Sequence, residues 1–176
     1  FLPLSKDLSF QGRPVLAPKG GITVQINAFN FPVWGLLEKF APAFLAGVPT
    51  LAKPATPTAH VAEALVRTML ESGLLPEGSL QLLVGSVGDL FDALDHRDSV
   101  FFTGSKATAD RLRRHPAFLE RGALFNAEAD SLNPAILGEK ATEEELSRLA
   151  QEIAQELVIK TGQRCTAIRR VFAPKD

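Results

Sequence analysis

The chain holds one cysteine, Cys165, in 176 residues. One cysteine excludes an internal disulfide, and the simplest setting for such a chain is a reducing, cytoplasmic one. Its three histidines, His60, His96 and His115, are scattered, and with one thiol they give no ligand spacing, so no metal site is expected. A net charge of −1 provides no field that would favour nucleic acid or an anionic membrane. No apolar run approaches the roughly 20 residues that a membrane-spanning helix needs. No secretory signal opens the sequence, and its start at Phe1 rather than Met fits a piece of a longer protein. There is neither an internal repeat nor a low-complexity linker.

What is present has the mix of a globular protein, 45% hydrophobic and 22% charged residues, at a length typical of one core. Branched apolar runs alternate with amphipathic segments. Strands are predicted at 21–26, in "VPTLAK", in "LQLLVG", in "SVFFTG", at 123–128 and in "PAILG". Helices are predicted at 33–47, interrupted near Pro42, and at 58–73, with Thr58 as cap and Gly73 as stop. A short helix around 88–94 and another in "KATADRLRRH" follow. The clearest helix is 142–160, where Thr142 and Glu145 form a capping box and Leu146, Leu149, Ile153 and Leu157 a buried stripe. This alternation implies an α/β fold, a mostly parallel sheet with helices on both faces and right-handed crossovers.

A lone cysteine is most often a small buried apolar residue. Cys165 instead follows Gly162 and Gln163 in "TGQRCTAIRR", where a turn can expose the sulfur. Arg164, Arg169 and Arg170 lie near enough in sequence to favour a thiolate. A Cys–His protease lacks a partner, since each histidine sits in or beside a charged stretch that reads as surface. The cluster Lys106, Arg111, Arg113 and Arg114 spreads over more than one helix face and reads as solvated surface too.

Five motifs narrow the reading: "NAFNFPVWG", "AKPATPT", "FFTGS", "EADSLNP" and "GQRCT". In this order and at this spacing they resemble the aldehyde dehydrogenase superfamily, from about residue 20 to the end. Common members read Pro-Trp-Asn-Phe-Pro and Glu-Leu-Gly-Gly-Lys-x-Pro. Ala28-Phe29-Asn30-Phe31-Pro32 and Glu128 through Pro134 resemble instead the semialdehyde dehydrogenases that act after ring opening of phenylacetyl- or benzoyl-coenzyme A. The resemblance implies a Rossmann-like cofactor domain over 21–160, an irregular segment before it, and the start of a catalytic domain with the nucleophile loop at 161–176.

By the same resemblance Cys165 is the nucleophile. Asn30 and the Cys165 N–H would stabilise the oxyanion, and Glu128 would be the general base for thioester hydrolysis. Taken alone, Asn30 reads equally as a turn or capping residue, and Glu128 as surface. The sequence has no G-x-G-x-x-G after a strand. The implied cofactor contacts are Lys53, Thr56, Gly88, Gly104 and Ser105, with Ala109 standing where the family often has glycine. Many NAD-preferring members carry glutamate at the position of Thr56. Threonine there and a cationic Lys53 lead us to expect NADP, with NAD as the alternative.

The implied substrate is a small aldehyde, plausibly a coenzyme A thioester, with neither nucleic acid nor membrane as partner. Family members run to several hundred residues and form homo-oligomers, and the phenylacetate type is commonly fused to a hydratase-like domain. This chain is therefore expected to be inactive or nearly so by itself. Two other readings stand beside this one: an acylating dehydrogenase that passes the acyl group to free coenzyme A, and a non-catalytic dinucleotide-binding module.

Overall fold

The computed structural model describes residues 2–7, 9–15 and 19–174. A short antiparallel pair, β1 (Leu2–Pro3) and β2 (Gln11–Gly12), precedes the main body. Five parallel strands follow: β3 (Thr23–Ile26), β4 (Thr50–Lys53), β5 (Leu80–Leu82), β6 (Ser99–Gly104) and β7 (Leu124–Ala129). Their spatial order is β5-β4-β3-β6-β7, so the winding reverses between β3 and β6. In open α/β sheets that reversal leaves a crevice at the strands' carboxyl ends.

The period-two alternation of the strands sends side chains to two separate cores. Val24 and Val100 face one way and pack with Phe91, Leu94, Ala117 and Ala123, beneath a 3-10 turn at Leu90–Ala93 and helix α4 (Pro116–Leu119). Ala52 and Leu80 face the other way, against Leu36 and Phe40 of α1 (Trp34–Leu45) and Val66 of α2 (Ala59–Glu71). Helices thus cover both faces, as the alternation of segments predicts.

Gln25 is the exception in this apolar setting, being fully buried on the α1 face. With its amide oriented to match its neighbours, Nε2 donates to Leu36 O at 3.2 Å and Oε1 accepts from Phe40 N at 2.9 Å. Substituting Gln25→Glu is expected to destabilise the intact protein by about 3 kcal/mol at neutral pH, because a buried carboxylate cannot donate to Leu36 O. A protonated carboxyl can donate, so the loss should vanish below about pH 4.3 and grow as pH rises above it. Urea denaturation at pH 4 and pH 7 checks this, and equal losses at both would contradict it.

Three local expectations need correction. Helix α1 is not interrupted near Pro42 but runs through it. The carbonyl that loses its partner there is that of Glu38, an exposed residue where water can replace the missing N–H. Thr58 precedes α2 without capping it; its hydroxyl donates to Phe29 O instead, at 3.1 Å. The stripe on α5 (Glu143–Val158) is not buried, with Leu146 45% and Leu157 61% exposed. Helix α5 joins β8 (Asn133–Ile136) to β9 (Ile168–Phe172), which among the described residues pair only with each other, and two strands are too few to cover it.

The start of α5 follows expectation. Thr142 Oγ1 accepts from Glu145 N, and Glu145 accepts from Thr142 N at 2.8 Å. The hydrogen bonds from Thr142 hold the Glu145 carboxyl below its ordinary pKa. Among the described residues no helix is long and apolar enough to cross a membrane.

Candidate active site

At the carboxyl edge of the five-stranded sheet lies a cavity of about 920 Å³, a size typical of small-molecule sites. Five stretches far apart in sequence line it. They are the loop after β3, the end of β4, the junction of β6 with α3 (Lys106–Arg113), the β7–β8 segment and the turn before β9. Cys165, Asn30, Glu128, Lys53, Gly104 and Ser105 all belong to this lining. Thr56 and Gly88 do not: Thr56 opens an exposed 3-10 turn, and Gly88 sits in an exposed loop at φ +53°.

Cys165 is exposed, not a buried apolar filler. It follows α5 by way of Lys160, Thr161 and Gly162, three successive residues with φ of 50°, 55° and 68°. Left-handed backbone is costly for the two that carry a Cβ, so something must hold the turn. Lys160 Nζ donates to Asn30 O at 2.8 Å and lies 3.8 Å from the centre of the Phe31 ring. In return Asn30 Nδ2 donates to Gln163 O at 2.9 Å. These two bonds hook the loop after β3 to the turn that leads into Cys165. One N–H of the Asn30 amide is spent on this hook, and among the described residues the other has no partner.

Of the arginines near Cys165, Arg164 pairs with a carboxylate and Arg169 with the backbone. Arg164 Nη1 pairs with Glu156 Oε1 at 3.2 Å, and Arg169 Nη2 donates to Gly162 O at 2.6 Å. Glu128 is exposed near the end of β7, in register with Thr103 of β6. Two residues later Asp130 takes φ +40°, which turns the chain from β7 towards β8.

On the other side of the cavity Ser105 caps α3, its Oγ accepting from Thr108 N at 3.3 Å. A Cβ at Gly104 would stand 2.5 Å from the tip of the Phe102 ring, which would have to shift to admit it. Lys53 is half-buried, and no acceptor within the described residues pairs its ammonium. An uncompensated cation on the wall of a cavity suits an anionic or hydroxyl-rich ligand. Sequence reasoning gave no role to Lys160, Ser131 and Asn133, and it set Arg169 beside the thiol where the structure sets it on Gly162 O. Each acts on a backbone carbonyl far away in the chain or across a turn, for which no local pattern exists.

A parallel sheet with this strand order and a largely apolar cavity at its carboxyl edge, edged by a few polar side chains, is the doubly wound α/β type of fold. The sequence matches the aldehyde dehydrogenase family over residues 10–176, and the chain belongs to that family. It is 51% identical over 173 residues to the 3,4-dehydroadipyl-CoA semialdehyde dehydrogenase of Aromatoleum evansii, covering 97% of this chain and 34% of that protein. A solved lactaldehyde dehydrogenase superposes with a TM-score of 0.76 at 27% identity, over 88% of this chain and 32% of its own. A succinic semialdehyde dehydrogenase from Streptococcus pyogenes, in complex with NADP+, shares the fold with a TM-score of 0.70 at 23% identity, over 86% and 32%. The chain thus spans about a third of the length of the curated relatives it matches.

Proposed function

We propose that this chain is the cofactor-binding region and nucleophile loop of a longer NADP-dependent dehydrogenase that oxidises a coenzyme A-linked semialdehyde to the acid. The observation that carries the reading is that Cys165, Asn30 and Glu128, spread over more than 130 positions, line one cavity. The 51% identity to a CoA-semialdehyde dehydrogenase supports the substrate class. In this reading residues 21–160 hold the cofactor, and 161–176 begin the catalytic domain. The protein works in the cytoplasm as a homo-oligomer, with a hydratase-like extension where the pathway is that of phenylacetate.

The chemistry follows from the residues. A Cys165 thiolate adds to the aldehyde carbon, forming a C–S bond and placing negative charge on oxygen. The free N–H of the Asn30 amide and the Cys165 N–H stabilise that charge, one such donor being worth on the order of 3 kcal/mol. Bound nicotinamide supplies the hydride acceptor that converts the adduct to a thioester. Glu128 takes a proton from water as the water attacks, and the acid leaves with Cys165 as thiolate. Lys53 and the capped start of α3 at Ser105 would hold the phosphates and ribose of the cofactor.

The test is aldehyde-dependent formation of NADPH by the full-length enzyme, with the product identified. Free acid is expected. A thioester formed only when coenzyme A is added would establish the acylating reaction instead, and no turnover on any aldehyde would leave a binding module.

Cofactor preference has its own test. Thr56 lies just outside the cavity lining, three residues after Lys53 and next to Ala55 of its wall. Thr56→Glu is expected to weaken NADP binding about tenfold or more and to favour NAD, because a carboxylate at that rim would repel a 2′-phosphate and accept from a 2′-hydroxyl. Fluorescence titration with both cofactors measures this. Tighter binding of NAD than of NADP by the unaltered enzyme would contradict the preference itself.

A further inference from the structure

The turn that carries Cys165 is held by its carbonyls. Gly162 O accepts from Arg169, and Gln163 O from Asn30. Cys165 O accepts from two side chains at once, Ser131 Oγ and Asn133 Nδ2, the latter at 2.5 Å. Asn133 Nδ2 also reaches Ala167 O at 3.2 Å. Ser131 and Asn133 belong to the segment that leaves β7 just after Glu128, some 30 residues before the turn they grip.

We propose that Ser131 and Asn133 are positioning residues for the nucleophile, a role that rests on reading Cys165 as that nucleophile. In a trans peptide the C=O and N–H point in opposite directions, so fixing Cys165 O also fixes the Thr166 N–H and the ψ angle of Cys165. The sulfur and the Cys165 N–H then keep one relation to Asn30, which is itself tied to Gln163 O. The same two side chains link the segment that bears Glu128 to the residue whose thioester Glu128 would serve. A glycine, the residue common relatives carry at the position of Ser131, cannot form this bond. In this chain the "DS" of "EADSLNP" supplies both the bend, at Asp130, and the hydroxyl that meets Cys165 O.

The experiment uses the full-length enzyme with Ser131→Ala, Ser131→Thr and Asn133→Ala, compared with Cys165→Ala. Loosening the nucleophile by a fraction of an ångström to 1 Å is expected to lower kcat about tenfold for Ser131→Ala and about 10²-fold for Asn133→Ala. The KM for cofactor and the melting temperature of Ser131→Ala should stay near those of the unaltered enzyme. Ser131→Thr, which keeps the hydroxyl, should restore kcat. If Asn133→Ala does not fold, the two Ser131 variants decide the matter. The proposal is overturned if Ser131→Ala keeps kcat within about twofold while Cys165→Ala is inactive. It is overturned equally if kcat falls only in step with melting temperature and Ser131→Thr does not restore it. Retained activity in Cys165→Ala would instead overturn the nucleophile assignment itself.

Discussion

Replacing Cys165 with alanine in the full-length enzyme is expected to lower aldehyde oxidation by about 10⁴-fold or more, leaving cofactor binding intact. Without the thiol no covalent adduct forms, and hydride would have to leave a free aldehyde or its hydrate. Cofactor binding should survive because Lys53, Gly104 and Ser105 lie on other strands and loops than Cys165. Two measurements check the result: the rate of NADPH appearance, and the rate of labelling by iodoacetamide at neutral pH. The unaltered enzyme should be labelled quickly at an exposed Cys165. Turnover within tenfold of the unaltered enzyme in Cys165→Ala would remove the covalent route.

Glu128→Gln should separate the two halves of the reaction. The amide occupies nearly the same space but cannot accept a proton from water. Steady-state turnover is expected to fall about 10²- to 10³-fold, while the first turnover still releases one NADPH per site. Mass spectrometry should then find the acyl group on Cys165. A variant that turns over at the normal rate would mean that Glu128, exposed near the end of β7, is no base. Rescue of turnover by free coenzyme A would show that the trapped thioester is competent and that only its hydrolysis was lost.

The α/β class was legible because strand and helix periods differ so strongly. Runs such as "SVFFTG" became β6 as predicted, and the capping box at Thr142 and Glu145 formed as read. Boundaries were harder wherever a nonlocal partner competed with a local signal. The Thr58 hydroxyl is a capping group by type, yet Phe29 O, from a distant loop, takes it. Pro42 is a helix breaker by type, but the carbonyl it orphans lies at an exposed residue, so α1 continues. The α5 stripe was read correctly as apolar and wrongly as buried, since periodicity shows which face is apolar but not what lies against it.

The residue types of the site were likewise visible in the motifs, but their geometry was not. Cys165 was singled out by its rarity and its turn, whereas Ser131 and Asn133 were seen only as members of a motif and Lys160 only as the end of a predicted helix. Their importance lies in which carbonyl each one meets, and those carbonyls belong to segments about 30 to 130 residues away.

By itself the sequence determined the alternation of elements, which is written in local spacing, and the family, which its motifs resemble. Only the tertiary structure decided that the loop after β3, the segment after β7 and the turn before β9 meet in one cavity. It also decided that successive carbonyls of that turn are gripped from outside. The reason is physical: hydrogen bonds and burial depend on which surfaces meet in space, and a linear chain records those meetings only through the fold it adopts.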